Sequence, residues 1–411
     1  MKTDVTLEEA IDILAGILPV PKLERVGLLE AHGRVLAEPL ASLVDHPSAD
    51  DSALDGFAVR LEDTLPATPE APLRLRVLAQ VAAGSEAVSL RLETGQAVQV
   101  FTGATVPECA TGIVMVENTA RDGEFVIVYK PGTADIRKRG QDLEAGQTYL
   151  LPGTILRGAQ LALAAAMGHA TLPVLERPRI GILATGDELL EPGEPLPPGG
   201  VYNSNSYGLA GMIRELGGEP IILPKVQDDP ELLRSALSQI GLNNVGDLHL
   251  LLSSGGVSMG ERDFVRLLLE REGKVHFWRI RVKPGGPPLC GEWNGLPFFG
   301  LPGNPVSSLV IFLMVVKPAL YQRWGILEPA YETVKATALT PVKGAGAKLG
   351  LMRVNLERVR LEPDAGLGWT LRSFGNQSSN ILRSMVEANG LAIVPPHTNI
   401  EIGETLEVVR L

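Results

Sequence analysis

From Arg179 to Tyr321 the chain alternates short apolar runs with helix-like segments, and no other feature constrains its fold as tightly. Strand-like runs fall at 180–184, 220–226, 248–253, 275–282 and 297–300, with helix-like runs at 206–216, 230–240, 261–272 and 306–321. Strands separated by helices cannot close as hairpins. The crossovers favour a mostly parallel, doubly wound sheet with helices on both faces and ligands at the carboxyl ends of its strands. Asp229-Pro230 supports one of these helices, as an N-cap followed by a proline at the first helical position.

The flanks read differently. Residues 6–18 form an amphipathic helix, with Thr6 and Glu9 as a capping box and Leu7, Ala10, Ile11, Leu14, Ile17 and Leu18 as one apolar stripe. From about 40 to 146 short β-like runs broken by turns predict a small β domain. A short apolar helix at 159–167 is expected to bring the chain back to the N-terminal helix. Beyond 327, β-like runs return and predict a small C-terminal barrel.

Charge narrows the partners. With 37 Lys and Arg against 48 Asp and Glu the net charge is −11, a field that disfavours nucleic acid and anionic membranes. Any anionic substrate must therefore be held by local donors. Cys109 and Cys290 show no ligand-like spacing, the N-terminus lacks an apolar leader, and the longest apolar run, 309–316, is shorter than the ~20 residues a bilayer requires. A cytoplasmic location is expected.

The segment 248–263 carries the most chemistry. An apolar strand opens into Ser253-Ser254-Gly255-Gly256-Val257-Ser258 and then a helix, an arrangement that lets backbone approach a phosphate closely. It is neither a Walker loop nor a GxGxxG fingerprint, and a plain tight turn would have the same composition. Thr185-Gly186-Asp187-Glu188 follows another strand; Thr185 or Asp187 would equally cap a helix there. Asn203–Ser206 reads most simply as an N-cap cluster, Asp229 as a cap that leaves Asp228 to a metal or ligand, and Asp263 as a first-turn acid. Taken together, Glu188, Asp228, Asp263 and Asp187 set an acidic rim at the ends of three strands. That suits Mg²⁺, which takes one or two protein carboxylates plus substrate phosphates. Arg279, Arg281 and Lys283 alternate to one face of a predicted strand, a costly placement unless an anion meets them. Leu301-Pro302-Gly303-Asn304-Pro305 is a rigid loop leading into an apolar helix.

Together with SALDGFAVR (52–60), FTGA (101–104), RKRGQD (137–142), KPGGP (283–287) and GNQSSN (375–380), these motifs resemble, in order, the molybdopterin molybdenumtransferases, whose catalytic domain is shared with the C-terminal region of gephyrin. The resemblance implies a helical linker domain (1–42 with 147–178), an inserted β domain (43–146), an α/β molybdopterin-binding domain (179–326) and a C-terminal β-barrel (327–411). It also implies a homodimer with a composite active site, other cofactor-biosynthesis proteins, among them the adenylyltransferase, as partners, and Mg²⁺-dependent insertion of molybdate into adenylylated molybdopterin with release of AMP. On that reading Asp187, Glu188, Asp228 and Asp263 serve metal and phosphate recognition, with Glu188, Asp228 and Asp263 as metal ligands. Ser253, Ser254, Gly255, Gly256 and Ser258 hold the pterin phosphate. Arg279, Lys283, Arg353 and Ser379, beside Pro302 and Pro305, form the molybdate pocket. Asp55, Thr102 and Asp142 face it from the β domain. The chain departs from the pattern at Gly286 and Ser378, and Lys348 keeps only the charge of a basic residue the family often pairs with Arg353. The competing readings are a molybdopterin adenylyltransferase and a gephyrin-like scaffold.

Overall fold

The computed structural model describes residues 1–85, 90–242, 247–257, 263–360 and 367–411. Its centre is a seven-stranded sheet in the spatial order Lys2–Val5, Lys274–Ile280, Leu289–Trp293, Leu296–Leu301, Leu250–Ser254, Arg179–Ala184, Glu219–Ile222. Leu289–Trp293 alone runs against its neighbours; the rest of the pairing is parallel. Leu250–Ser254 is buried along its whole length, as expected of a strand covered on both faces. One face packs against the helices Ser204–Glu215 and Pro305–Ile311, the other against Pro230–Leu242 and Phe264–Glu272. The doubly wound architecture expected from the sequence is therefore present. Asp229 caps its helix, its Oδ1 accepting from Glu231 N at 2.8 Å and Leu232 N at 2.9 Å.

Three local expectations are corrected. First, the run at 275–282 is not one strand: Lys274–Ile280 ends, Arg281 intervenes, and Val282–Lys283 pairs with the C-terminal barrel instead. Arg279 has φ +75°, so the alternation that would put Arg279, Arg281 and Lys283 on one face is broken. Second, the helices at 7–17 and 158–166 do not pack together. Leu7, Ala10, Leu14 and Leu18 bury into the α/β core beside Phe312 and Leu320, whereas Ala164 and Met167 bury with Leu36, Leu143 and Leu156. The N-terminal stripe finds more apolar surface on the central domain, and Lys2–Val5 is already fixed there as an edge strand. Third, the helix after Asn304 is interrupted by a π-helical turn at Phe312–Val316. The continuous stretch Pro305–Arg323 is long and apolar enough to cross a membrane by composition, but 67% of its apolar window is buried inside the protein, as in a core helix.

The β domain is a six-stranded sheet with an apolar cluster on each face. Its stem is zipped by ion pairs: Arg137, Lys138 and Arg139 engage Asp51, Asp50 and Asp45 at 2.7, 2.7 and 2.6 Å. The C-terminal region closes as a barrel of Leu349–Arg360, Leu367–Ser373, Thr333–Ala338, Thr405–Arg410 and Gly390–Val394, the last pairing back to the first.

Candidate active site

Three strand ends of the central sheet deliver three loops to one open cavity of about 810 Å³. Arg179–Ala184 supplies Thr185, Gly186 and Glu188; Leu250–Ser254 supplies Ser254, Gly255, Gly256 and Val257; Leu296–Leu301 supplies Pro302 through Pro305. Asp228 and Asp263 complete an acidic rim with Glu188, and Pro287 and Asn380 border the cavity from the KPGGP turn and the barrel.

The Gly/Ser loop owes its shape to its glycines. Gly255 and Gly256 have φ +101° and +72°, and a β-carbon on Gly256 would stand 2.6 Å from Val265 Cγ2, so no other residue type fits there without strain. Gly255 N donates to Leu301 O at 3.0 Å, which joins this loop to the Pro302–Pro305 loop and removes that N–H from ligand binding. Glu188 folds back over Gly186, where a β-carbon would meet its carboxylate at 2.6 Å. Asp187 is not a lining residue; its Oδ1 accepts from Asp228 N at 3.1 Å and so fixes the backbone that presents Asp228. Ser253 is buried beneath the loop, outside the lining set, while Ser254 reaches the cavity. Ser258 lies outside the described residues.

Asn205 stands out as a functional residue that the sequence reading did not single out. Its Nδ2 donates to Ser254 Oγ at 2.7 Å and to Gly303 O at 2.8 Å, clamping the glycine loop to the proline loop. Among the described residues its buried Oδ1 accepts nothing, and the buried Thr185 Oγ1 has no partner. Unsatisfied buried polar atoms are costly, and these two belong to lining residues of the cavity. Asn205 is the second residue of the helix capped by Asn203, so only the tertiary clamp distinguishes it from ordinary cap chemistry.

The basic residues singled out in the sequence lie outside the lining set. Arg353 is fully buried on the barrel strand. Its guanidinium donates to Asn376 O and Ser378 O, each at 3.1 Å, while Nε and Nη1 have no partner and no carboxylate pairs with it among the described residues. Burial pulls its pKa down, the physical mark of a charge left without compensation. The loop it holds docks on the α/β domain, Val306 N donating to Ser379 O at 3.2 Å. Lys283 is exposed on the short strand that joins the two domains, outside the lining set. Arg279 is turned away: its Nε lies 3.5 Å from Asp4 and its guanidinium 5.6 Å from the Trp278 ring.

In the β domain, Asp55 Oδ1 accepts from Thr102 N at 2.7 Å and Thr102 Oγ1 at 2.8 Å. The Thr102 backbone N–H foremost, and its hydroxyl next, hold the Asp55 carboxyl below its ordinary value. Asp142 is exposed on the neighbouring turn. None of these three lines the cavity of its own chain.

Comparison with known proteins decides the family. Residues 5–168 match the MoeA N-terminal region (domain I and II), 181–322 a probable molybdopterin binding domain, and 335–411 the MoeA C-terminal region (domain IV). The chain belongs to the molybdopterin molybdenumtransferase (MoeA) family. It is a transferase of molybdenum cofactor biosynthesis. Among its relatives, molybdopterin molybdenumtransferase of Nostoc is 34% identical over 95% of this chain and 91% of its own length. Molybdopterin molybdenumtransferase 2 of Mycobacterium tuberculosis is 35% identical over 98% of both chains. The crystal structure of the molybdopterin biosynthesis MoeA protein from Pyrococcus horikoshii OT3 superposes with a TM-score of 0.81 at 28% identity, covering 99% of this chain and 100% of that one.

Proposed function

We propose that this protein inserts molybdate into adenylylated molybdopterin and releases AMP in a Mg²⁺-dependent reaction. The observation that carries the reading is one cavity lined together by Glu188, Asp228, Asp263 and the Ser254–Gly256 loop; the buried Arg353, with no carboxylate partner among the described residues, bonds Ser378 O two residues before the lining Asn380. The match of both flanking regions as well as the central domain favours the molybdenumtransferase over an adenylyltransferase.

The donor set suits Mg²⁺. Hard carboxylate oxygens of Glu188, Asp228 and Asp263 line the cavity, but among the described residues no three such groups converge on one point. Mg²⁺ would therefore take one or two of these acids together with substrate phosphates, with Asp187 positioning Asp228. When bound, Mg²⁺ would neutralise charge developing on the departing phosphate. The protein's own groups do the rest. Ser254 accepts from Asn205 and keeps its hydroxyl proton to donate to a phosphate oxygen. The joined loops at Gly255, Pro302 and Pro305 fix the pterin side. Arg353, Lys283 and Ser379 orient molybdate, a tetrahedral dianion, beside it.

In this reading the enzyme is a homodimer in which Asp55, Thr102 and Asp142 of the partner subunit close the cavity. It works in the cytoplasm and receives its substrate from the pathway's adenylyltransferase. The described cysteines are unpaired, which fits a reducing compartment. Incubating purified protein with adenylylated molybdopterin, Mg²⁺ and molybdate tests the reaction. AMP release that requires molybdate is expected; AMP release indifferent to molybdate, or adenylyl transfer from ATP instead, would overturn it.

A further inference from the structure

Gly286 lies in the KPGGP turn, next to the cavity-lining Pro287. A β-carbon placed on Gly286 would stand 3.2 Å from Lys348 Nζ, with Val282 O at 3.3 Å and Ile280 O at 3.7 Å. A side chain at Gly286 would thus start in tight contact with an ammonium carried by the barrel. Lys348 immediately precedes the barrel strand Leu349–Arg360, which pairs in parallel with Val282–Lys283 through Val282↔Leu349 and Lys283↔Gly350. Leu349 N donates to Arg281 O at 2.9 Å, which pins that approach.

Arg281, Lys283 and Lys348 have no carboxylate partner among the described residues. Arg353, on the same barrel strand, is buried without one. Like charges gathered along one strand pairing repel, and in a chain of net charge −11 carboxylates are plentiful enough to have been placed there. An external anion would complete this arrangement.

We propose that Lys348 supplies the oxyanion pocket with the cationic contact that the KPGGP turn, having glycine at position 286, cannot make. The contact crosses a domain boundary, so a bound oxyanion ties the barrel to the α/β domain. The inference rests on the molybdate reading above.

Titrating molybdate alone into the full-length protein by calorimetry, for wild type, Lys348→Ala and the Lys348→Ala/Gly286→Lys double variant, tests it. Gly286 is not in the left-handed region; with Lys348 shortened, the nearest neighbour left to an added β-carbon is Val282 O at 3.3 Å, a tight contact that a shift of a few tenths of an ångström relieves. Loss of one charge-assisted contact should weaken Lys348→Ala roughly tenfold or more, and the double variant should regain most of that affinity. Wild-type affinity in Lys348→Ala would overturn the proposal. So would a loss that the double variant leaves unrepaired while melting as wild type does, because Lys348 would then act otherwise than as a cation at this point. If wild type itself binds no molybdate, the pocket reading fails first and takes this inference with it.

Discussion

The two sides of the cavity are built in opposite ways. The acidic side, Glu188, Asp228 and Asp263, comes from successive loops of one sheet and hangs on local backbone devices: a carboxylate folded over Gly186, a cap at Asp229 and the Asp187–Asp228 bond. The cationic side, Lys283, Lys348 and Arg353, lies outside the lining residues themselves and exists only where the barrel strand pairs with the KPGGP segment. Carboxylates at strand ends stay at least partly open to water. A buried guanidinium does not: two nitrogens of Arg353 have no partner among the described residues, and the loop at 376–378 holds the group in place. One sheet can present a metal site, whereas a fixed oxyanion pocket needs two domains to hold its charges in place.

Breaking the acidic side has the largest expected effect. Asp228→Ala and Asp263→Ala should lower molybdate-dependent AMP release by ~10²-fold or more, since contacts to a transferring phosphoryl group are worth that much, while the thermal melt stays near wild type. Near-normal turnover in both variants would remove the acids from the reaction.

A second experiment asks whether the β-domain acid belongs to the same site across subunits. Asp55→Ala and Asp263→Ala homodimers should each be nearly inactive. Co-refolded at random, half the dimers are mixed and each mixed dimer has one intact site, so activity should return to about a quarter of wild type. Mixed dimers that form without any recovery would place both residues in a site within one subunit.

Arg353→Met sharpens the other side. Replacing an unpaired buried charge by an apolar side chain of similar size is often neutral or stabilising. The melting temperature should therefore hold or rise, while molybdate affinity falls roughly tenfold or more. A collapsed melt with intact affinity would make Arg353 a strut for the loop at 376–378.

The smallest effect is expected at Thr102. Removing its hydroxyl in Thr102→Val leaves Asp55 with the Thr102 backbone N–H alone, the larger of the two causes of its lowered pKa. The Asp55 pKa should rise part of the way to its ordinary value, so the acid limb of the pH–rate profile should move to higher pH. Because the folded-state pKa lies below the unfolded one, ionised Asp55 stabilises the fold at neutral pH, and that contribution fades as pH falls through the folded value. An unmoved acid limb would detach Asp55 from the rate.

Much of the acidic side was legible in the sequence, because strand–loop–helix alternation places Glu188, Asp228 and Asp263 at strand ends without knowledge of the tertiary fold. The capping of both helices at Thr6 and Asp229 was equally legible, being a matter of three or four residues. The cationic side was not. Arg279, Arg281 and Lys283 read as one strand because nothing local signals a left-handed arginine, and the exchange of pairing from the central sheet to the barrel depends on residues 67 positions away, as in Val282↔Leu349. The edge strand Lys2–Val5 and the Asn205 clamp went unread for the same reason, since each is defined by a partner distant in sequence. The reversed strand Leu289–Trp293 is different: it turns back on Leu296–Leu301 through Asn294-Gly295, a local hairpin signal that the strand–helix alternation masked.

The contrast itself is open to direct measurement. Molybdate affinity and adenylylated-pterin affinity should be titrated separately on Lys283→Ala and Asp228→Ala. The account predicts a crossed result: Lys283→Ala weakens molybdate and leaves the pterin nearly unchanged, while Asp228→Ala leaves molybdate unchanged and weakens the Mg²⁺-dependent binding of the pterin. Equal losses of both ligands in both variants would contradict it, because the cavity would then have no separate acidic and cationic sides.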